Sequence, residues 1–99
     1  MEIEFDDPDY DRLEIDSTFT LGFQRNIVSA YRRRVAMIRA ARDERDLYAL
    51  HGARFEKLTR DRAGQHSMRL NDQWRLILRL EKRVRGQVVV IISIVDYHK

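Results

Sequence analysis

Val88–Val95 (Val-Val-Val-Ile-Ile-Ser-Ile-Val) is apolar on both faces of a two-residue repeat. β-Branched side chains lose rotamer freedom in a helix and pack well on a pleated surface. The run therefore marks a central, buried strand rather than a helix. It delivers Asp96-Tyr97-His98-Lys99 at its end. Chain termini are normally idle and mobile, whereas a rigid strand places the side chains at its end accurately.

Ser67–Leu80 (Ser-Met-Arg-Leu-Asn-Asp-Gln-Trp-Arg-Leu-Ile-Leu-Arg-Leu) reads as a hairpin. Asn71, Asp72 and Gln73 make its turn, because Asn and Asp side chains fold back on their own backbone. Trp74, Leu76, Leu78 and Leu80 then share one face with Met68 and Leu70, with Trp74 expected to anchor the hairpin on a helix. Arg75, Ile77 and Arg79 share the other face with Arg69, and a face rich in arginine suits a phosphate chain.

In chain order, Glu2–Asp6 alternates Ile3 and Phe5 with acids and reads as a short strand. Asp7-Pro8 is a helix start, giving a short helical turn over Pro8–Leu13. Gln24–Arg42 is the clearest helix, with Ile27, Val28, Tyr31, Val35 and Ile38 on one face. Asp46 caps a short turn carrying Leu47, Tyr48 and Leu50. Arg54–Leu58 alternates as a strand with Phe55 inward, Thr59–Gln65 is a loop, and Glu81–Gln87 is a basic loop ending at Gly86. The 99 residues make one domain, 1–99, of α+β class: a small antiparallel sheet with two N-terminal helices packed on one face.

Charge is uneven. Residues 1–16 hold eight acidic residues and one basic, while the other 83 hold 18 basic and eight acidic, a net of +10 within an overall +3. Such asymmetry points to a polyanionic partner or to a solvated basic surface. The absence of cysteine excludes a disulfide framework and a thiolate metal site, so the cytoplasm is the expected compartment. No apolar run approaches the ~18–20 residues that span a bilayer, so no membrane partner is expected. The N-terminus is acidic where a signal peptide would be basic and then apolar.

His51, His66 and His98 lack metal-ligand spacing, and no phosphate loop or nucleophile elbow is present. The better constellation is Arg69, Arg75 and Arg79 with Asp96, Tyr97 and His98. RNA is cut without a metal when one group takes the 2′-OH proton, others steady the phosphate, and another protonates the departing 5′ oxygen. Histidine suits either proton role. Arginine neutralises charge at phosphorus, and tyrosine donates a proton or stacks on a base.

Leu50-His51, Arg54-Phe55-Glu56-Lys57-Leu58, Asp61-Arg62-Ala63-Gly64-Gln65, the Ser67–Leu76 run and the closing Val95-Asp96-Tyr97-His98 together resemble the HigB family of plasmid-maintenance toxins, within the RelE/ParE superfamily. The resemblance covers about residues 22–98 and is strongest over 54–98. It implies a RelE-like fold and a type II toxin that cleaves mRNA in the ribosomal A site without a metal or other cofactor. It also implies a HigA-type helix-turn-helix antitoxin, with operator DNA bound only through the toxin–antitoxin complex. It places Arg75, Asp96, Tyr97 and His98 in the active site, and Lys57, Arg60 and Arg62 on the RNA. Two departures bear on catalysis. The loop reads Leu58-Thr59-Arg60-Asp61-Arg62 where the family often has Leu-Lys-Gly-Asp-Arg, and Glu56 stands where some members carry a catalytic histidine. The alternatives are a non-enzymatic ParE-like toxin that targets gyrase, or a catalytically weakened RNA-binding relative.

Overall fold

The protein is described here by a computed structural model covering residues 1–97. The chain runs β1 (Glu2–Phe5), α1 (Pro8–Ile15), α2 (Arg25–Ala40), α3 (Glu44–Ala49), β2 (Glu56–Lys57), a 3-10 turn (Arg60–Arg62), β3 (His66–Arg69), β4 (Trp74–Arg83) and β5 (Gly86–Asp96). The strands form one sheet in the order β1-β5-β4-β3-β2. β5 is interior, as its composition demands. β1 runs parallel to it, and the remaining neighbours are antiparallel. The expected α+β class with helices on one face therefore holds, and the parallel edge strand makes the sheet mixed.

Local chemistry explains the elements. The Asp7 carboxylate accepts the Asp9 N–H at 2.9 Å with Pro8 in the first turn, and α1 runs two residues past the expected Leu13. α2 buries Ile27, Val28, Tyr31, Val35 and Ile38 along one stripe. α3 is capped by Asp43, which accepts the Arg45 N–H at 2.9 Å, and not by Asp46. Asp46 lies inside the first turn and reaches back to the Arg42 N–H at 2.9 Å. The Asn71 side-chain oxygen Oδ1 accepts the Gln73 and Trp74 N–H groups at 2.9 and 2.8 Å, closing the expected hairpin turn.

Two expected segments differ. The strand over Arg54–Leu58 shortens to Glu56–Lys57 because Arg54 sits at φ +46°, which breaks the extended run, although Phe55 is buried as expected. The basic loop over Glu81–Gln87 is mostly strand. Lys82 pairs with Gln87 and Arg83 with Gly86, leaving a two-residue turn at Val84-Arg85. Arg83 is held there by Glu4 across the sheet, and Glu81 lies between Arg79 and Arg83 on its own strand.

The helices cover one face only. Tyr10 and Leu13 of α1, the α2 stripe and Leu47 of α3 pack with Met68, Leu70, Leu76, Leu78, Val89, Ile91 and Ile94. Tyr31 and Tyr10 join the layers: the Tyr31 hydroxyl donates to the Tyr10 carbonyl at 2.7 Å, and the Ile94 N–H donates to the Tyr10 hydroxyl at 3.0 Å. Trp74 is only half-buried at the rim of this core, edge-on to Phe23 at 5.6 Å. It is not the expected buried anchor against the Ile27, Tyr31 and Val35 face: it shares a cavity with Ile27 and the loop before α2, beside which the hairpin turn lies.

The other face has no helix among the described residues, yet Ile77, Val88 and Val90 there are buried. Register puts Glu4, Val90 and Arg79 side by side on this face. Arg79 bonds Asp6 at 2.6 Å and Arg83 bonds Glu4 at 2.8 Å. β5 lies between these partners, so the arginine stems must cross it and shield its valines. Exposed pairs of this kind contribute little directly, because solvent screens them. Their larger effect is the apolar surface that the stems cover.

Candidate functional site

Arg75 is the second residue of β4, on the helix-free face, and is 7% exposed. Its Nη2 donates to the Arg54 carbonyl at 3.0 Å, the Glu56 carboxylate at 3.1 Å and the Ser67 hydroxyl at 2.8 Å. Its Nε is buried with no partner among the described residues. The Tyr97 ring lies over the guanidinium, with its centroid 5.1 Å from Cζ. A permanent cation is thus oriented by three acceptors and roofed by a half-exposed aromatic ring.

A β-bulge decides which polar residues of the β5 end reach it. Ile77 pairs with Ser93 but Leu78 pairs with Ile91, so Ile92 is the extra residue. The alternation shifts by one there. Val89 and Ile91 face the core before the bulge, and Ile94 faces it afterwards. Asp96 consequently pairs with Trp74 on the helix side, where its carboxylate accepts from Gln73 Nε2 at 3.0 Å. Tyr97 turns to the Arg75 side. Strict alternation would place these two the other way round.

The expected RNA-binding arginines divide into two groups. Arg69 shares a row with Arg75 but pairs with Asp72. Arg79 is bound to Asp6 and lies 3.6 Å from Glu81, and its guanidinium holds the Asp6 carboxyl below the usual carboxylate range. Arg69, Arg75 and Arg79 do share one face as expected, but Arg75 is buried rather than solvent-reached, and the other two are bound to carboxylates. Arg62 bonds the Gln65 side chain at 3.3 Å. The side chains of Arg54, Lys57 and Arg60 make no ion pair among the described residues, so free positive charge collects on the segment flanking Glu56. Lys57 pairs in register with His66, on the helix side. His98 lies outside the described residues.

Glu56 and Ser67 are the members that residue pattern alone did not single out for a role. They face each other across β2 and β3. The signal available for Glu56 was the family resemblance, which implies a histidine at that place in some members. The geometry offers a fixed guanidinium, a carboxylate half open to solvent, and a phenol. Among the described residues, no three His, Cys, Asp or Glu side chains are arranged to hold a metal ion.

The family described as RelE-like toxin of type II toxin-antitoxin system HigB matches residues 4–98. The chain belongs to the HigB-like toxins. No curated protein matches the sequence. Among solved structures the fold is similar to a YoeB/ParE toxin from Agrobacterium tumefaciens, with TM-score 0.62 and 16% identity over 99% of this chain and 100% of that one. It is also similar to the YoeB-YefM complex from Staphylococcus aureus, with TM-score 0.56 and 20% identity over 100% of this chain and 98% of that one. At these identities the likeness establishes the fold. The HigB-like frame thus comes with its arginine cradle built from β2, β3 and β4 and closed by the β5 end.

His66 of this HigB-like toxin stands apart from the cradle. It is buried on the helix side, stacked on Phe55 at 4.8 Å, and neither ring nitrogen has a partner among the described residues. Burial pushes its pKa down, with Glu44 opposing and Lys57 adding to the shift. The unfolded chain therefore binds the proton more tightly. The neutral ring's contribution is fully present above the ordinary value of about 6.5 and is lost as pH falls through that value towards the depressed folded one. Urea midpoints should decline between pH 7.5 and 5, and His66→Phe should flatten that decline. An equal decline in the variant would remove His66 as its source.

Proposed function

We propose that this toxin is a metal-independent endoribonuclease that cuts mRNA on the ribosome and so inhibits translation. The observation that carries this reading is the triple contact on Arg75 with Tyr97 above it. A guanidinium held this rigidly costs little reorganisation when charge develops at phosphorus. Glu56, bonded to that guanidinium and open to solvent, takes the 2′-OH proton. The 2′ oxygen then bonds to the adjacent phosphorus as the P–O5′ bond breaks, leaving a 2′,3′-cyclic phosphate and a 5′ oxygen that must be protonated. Tyr97, whose ring lies over the guanidinium, carries a phenol that can donate this proton. His98, one residue on, is the titratable candidate that the sequence supplies for the same proton. Asp96, on the other side of the sheet, serves by holding the Gln73 turn.

Arg54, Lys57, Arg60 and Arg62 are proposed to contact the RNA backbone. The operon partner is a HigA-type helix-turn-helix antitoxin, operator DNA is bound only through the complex of the two, and the compartment is the cytoplasm. The YoeB-YefM structure shows a neighbour of the same fold held with its own partner.

Primer extension on an mRNA translated by purified ribosomes tests the reading. Cuts should appear only on ribosome-bound message, carry a 2′,3′-cyclic phosphate, and vanish when the nucleotide at the cut lacks its 2′-OH. Products ending in 3′-OH would refute the chemistry. Intact message together with inhibited DNA supercoiling would put the gyrase-directed alternative in its place.

A further inference from the structure

We infer that Arg34, in the middle of α2, is a positioning residue for Arg75: it fixes the Gly52–Arg54 segment that orients the Arg75 guanidinium. Half of the sixteen arginines pair with acids among the described residues. Arg34 instead donates from Nε to the Arg69 carbonyl at 2.9 Å and from Nη2 to the Gly52 carbonyl at 3.1 Å, while Nη1 lies 3.3 Å from the Met37 sulfur. It makes no ion pair among the described residues. One planar fork thus spans two separate pieces of backbone, a geometry that suits arginine and not lysine.

Those pieces converge on the cradle. Gly52 stands at φ +77° and Arg54 at φ +46°. Left-handed backbone at a residue other than glycine persists only where its surroundings hold it. Three successive carbonyls of this segment each meet an arginine: Gly52 the Arg34 side chain, Ala53 the Arg69 N–H at 2.6 Å, and Arg54 the Arg75 side chain. Arg34 also grips the carbonyl of that same Arg69. It therefore ties the end of β3 and the turn before β2 to the long helix. Release would let the Arg54 carbonyl and Glu56 drift, and with them the guanidinium. The side chain touches no reacting group, so its effect must run through Arg75.

This inference rests on the endoribonuclease reading for its kinetic consequence but not for its geometric one, and the test separates the two. Arg34→Met keeps the stem and removes the donors. Arg34→Lys keeps the charge but reaches one carbonyl at a time. Arg33→Met, at an exposed neighbour, controls for the loss of charge. The first readout is hydrogen exchange at the Arg75 Nε–H, followed by nitrogen-15 NMR. It should quicken about tenfold or more in Arg34→Met while the Ile94 amide keeps its protection. The second is single-turnover cleavage on ribosomes. It should slow by about 10- to 100-fold, as for a reacting group displaced by a fraction of an ångström, with ribosome affinity unchanged. Arg34→Lys should fall between, and Arg33→Met should match wild type in both. Unchanged Arg75 exchange overturns the inference. So does an equal loss of protection at Ile94, which would make Arg34 a general structural brace. If wild type cleaves nothing, the proposed function fails, while Arg75 exchange still decides the role of Arg34.

Discussion

Arg75→Met is expected to slow mRNA cleavage by about 10²–10³-fold, the usual cost of removing a preorganised donor from developing charge. The substitution keeps an unbranched stem in the same slot between Ser67 and Tyr97. It leaves the Ser67 hydroxyl and the Arg54 carbonyl without their donor, a cost of about 1–3 kcal/mol. Relief of a desolvated cation offsets part of that cost. The domain should therefore remain folded, with urea midpoint and ribosome binding read beside the cleavage rate. Arg75→Lys should not restore the rate, because an ammonium held by the Arg54 carbonyl, Glu56 and Ser67 has no flat face to lie beneath Tyr97 and no further N–H groups, like Nε and Nη1, to turn towards a phosphate. A folded Arg75→Met protein that cuts at the wild-type rate would remove Arg75 from the chemistry.

Tyr31→Ala is expected to cost about 3–5 kcal/mol, the range for emptying a buried aromatic site. Tyr31 is fully buried, and its ring meets Tyr10 edge-on at 6.0 Å. Its hydroxyl satisfies the Tyr10 carbonyl, and the Tyr10 hydroxyl in turn satisfies the Ile94 N–H beyond the bulge. Burial pushes the Tyr31 phenol up, so it remains a donor throughout the working pH range. Removing the ring therefore leaves a cavity between α1, α2 and the sheet and strands a buried carbonyl. In a domain whose whole stability is of order 5–15 kcal/mol, that is a large share. Tyr31→Phe, which strands the carbonyl alone, should cost about 1–3 kcal/mol. Urea melts of the two variants separate packing from hydrogen bonding. A Tyr31→Ala loss below that of Tyr31→Phe would contradict the packing described here.

Both predictions start from side chains whose placement was partly legible in the sequence. The β-branched run in β5, the Asn71 turn and the α2 stripe are local statements about period and backbone chemistry, and such statements survive folding. They were enough to place Arg75 opposite the core, to make β5 interior and to put the helices on one face. Motif content, read as a resemblance, carried the HigB family.

The tertiary structure alone decided the rest. Period-two reasoning holds only until a residue is inserted, and the bulge at Ile92 reverses the phase beyond it. That single residue sends Tyr97 to Arg75 and Asp96 to the Gln73 turn, and no residue in the run announces it, because every member is equally suited to a strand. The acidic N-terminus likewise looked like a contrast to the basic remainder. Instead, Asp6 neutralises Arg79 and Glu4 neutralises Arg83, pairs more than 70 residues apart in the chain that form only because β1 lies parallel against β5. Which cations stay free for a polyanion is a property of strand order, which local sequence does not encode. The same holds for the buried cradle of Arg75, whose acceptors come from Arg54, Glu56 and Ser67 once three strands lie side by side.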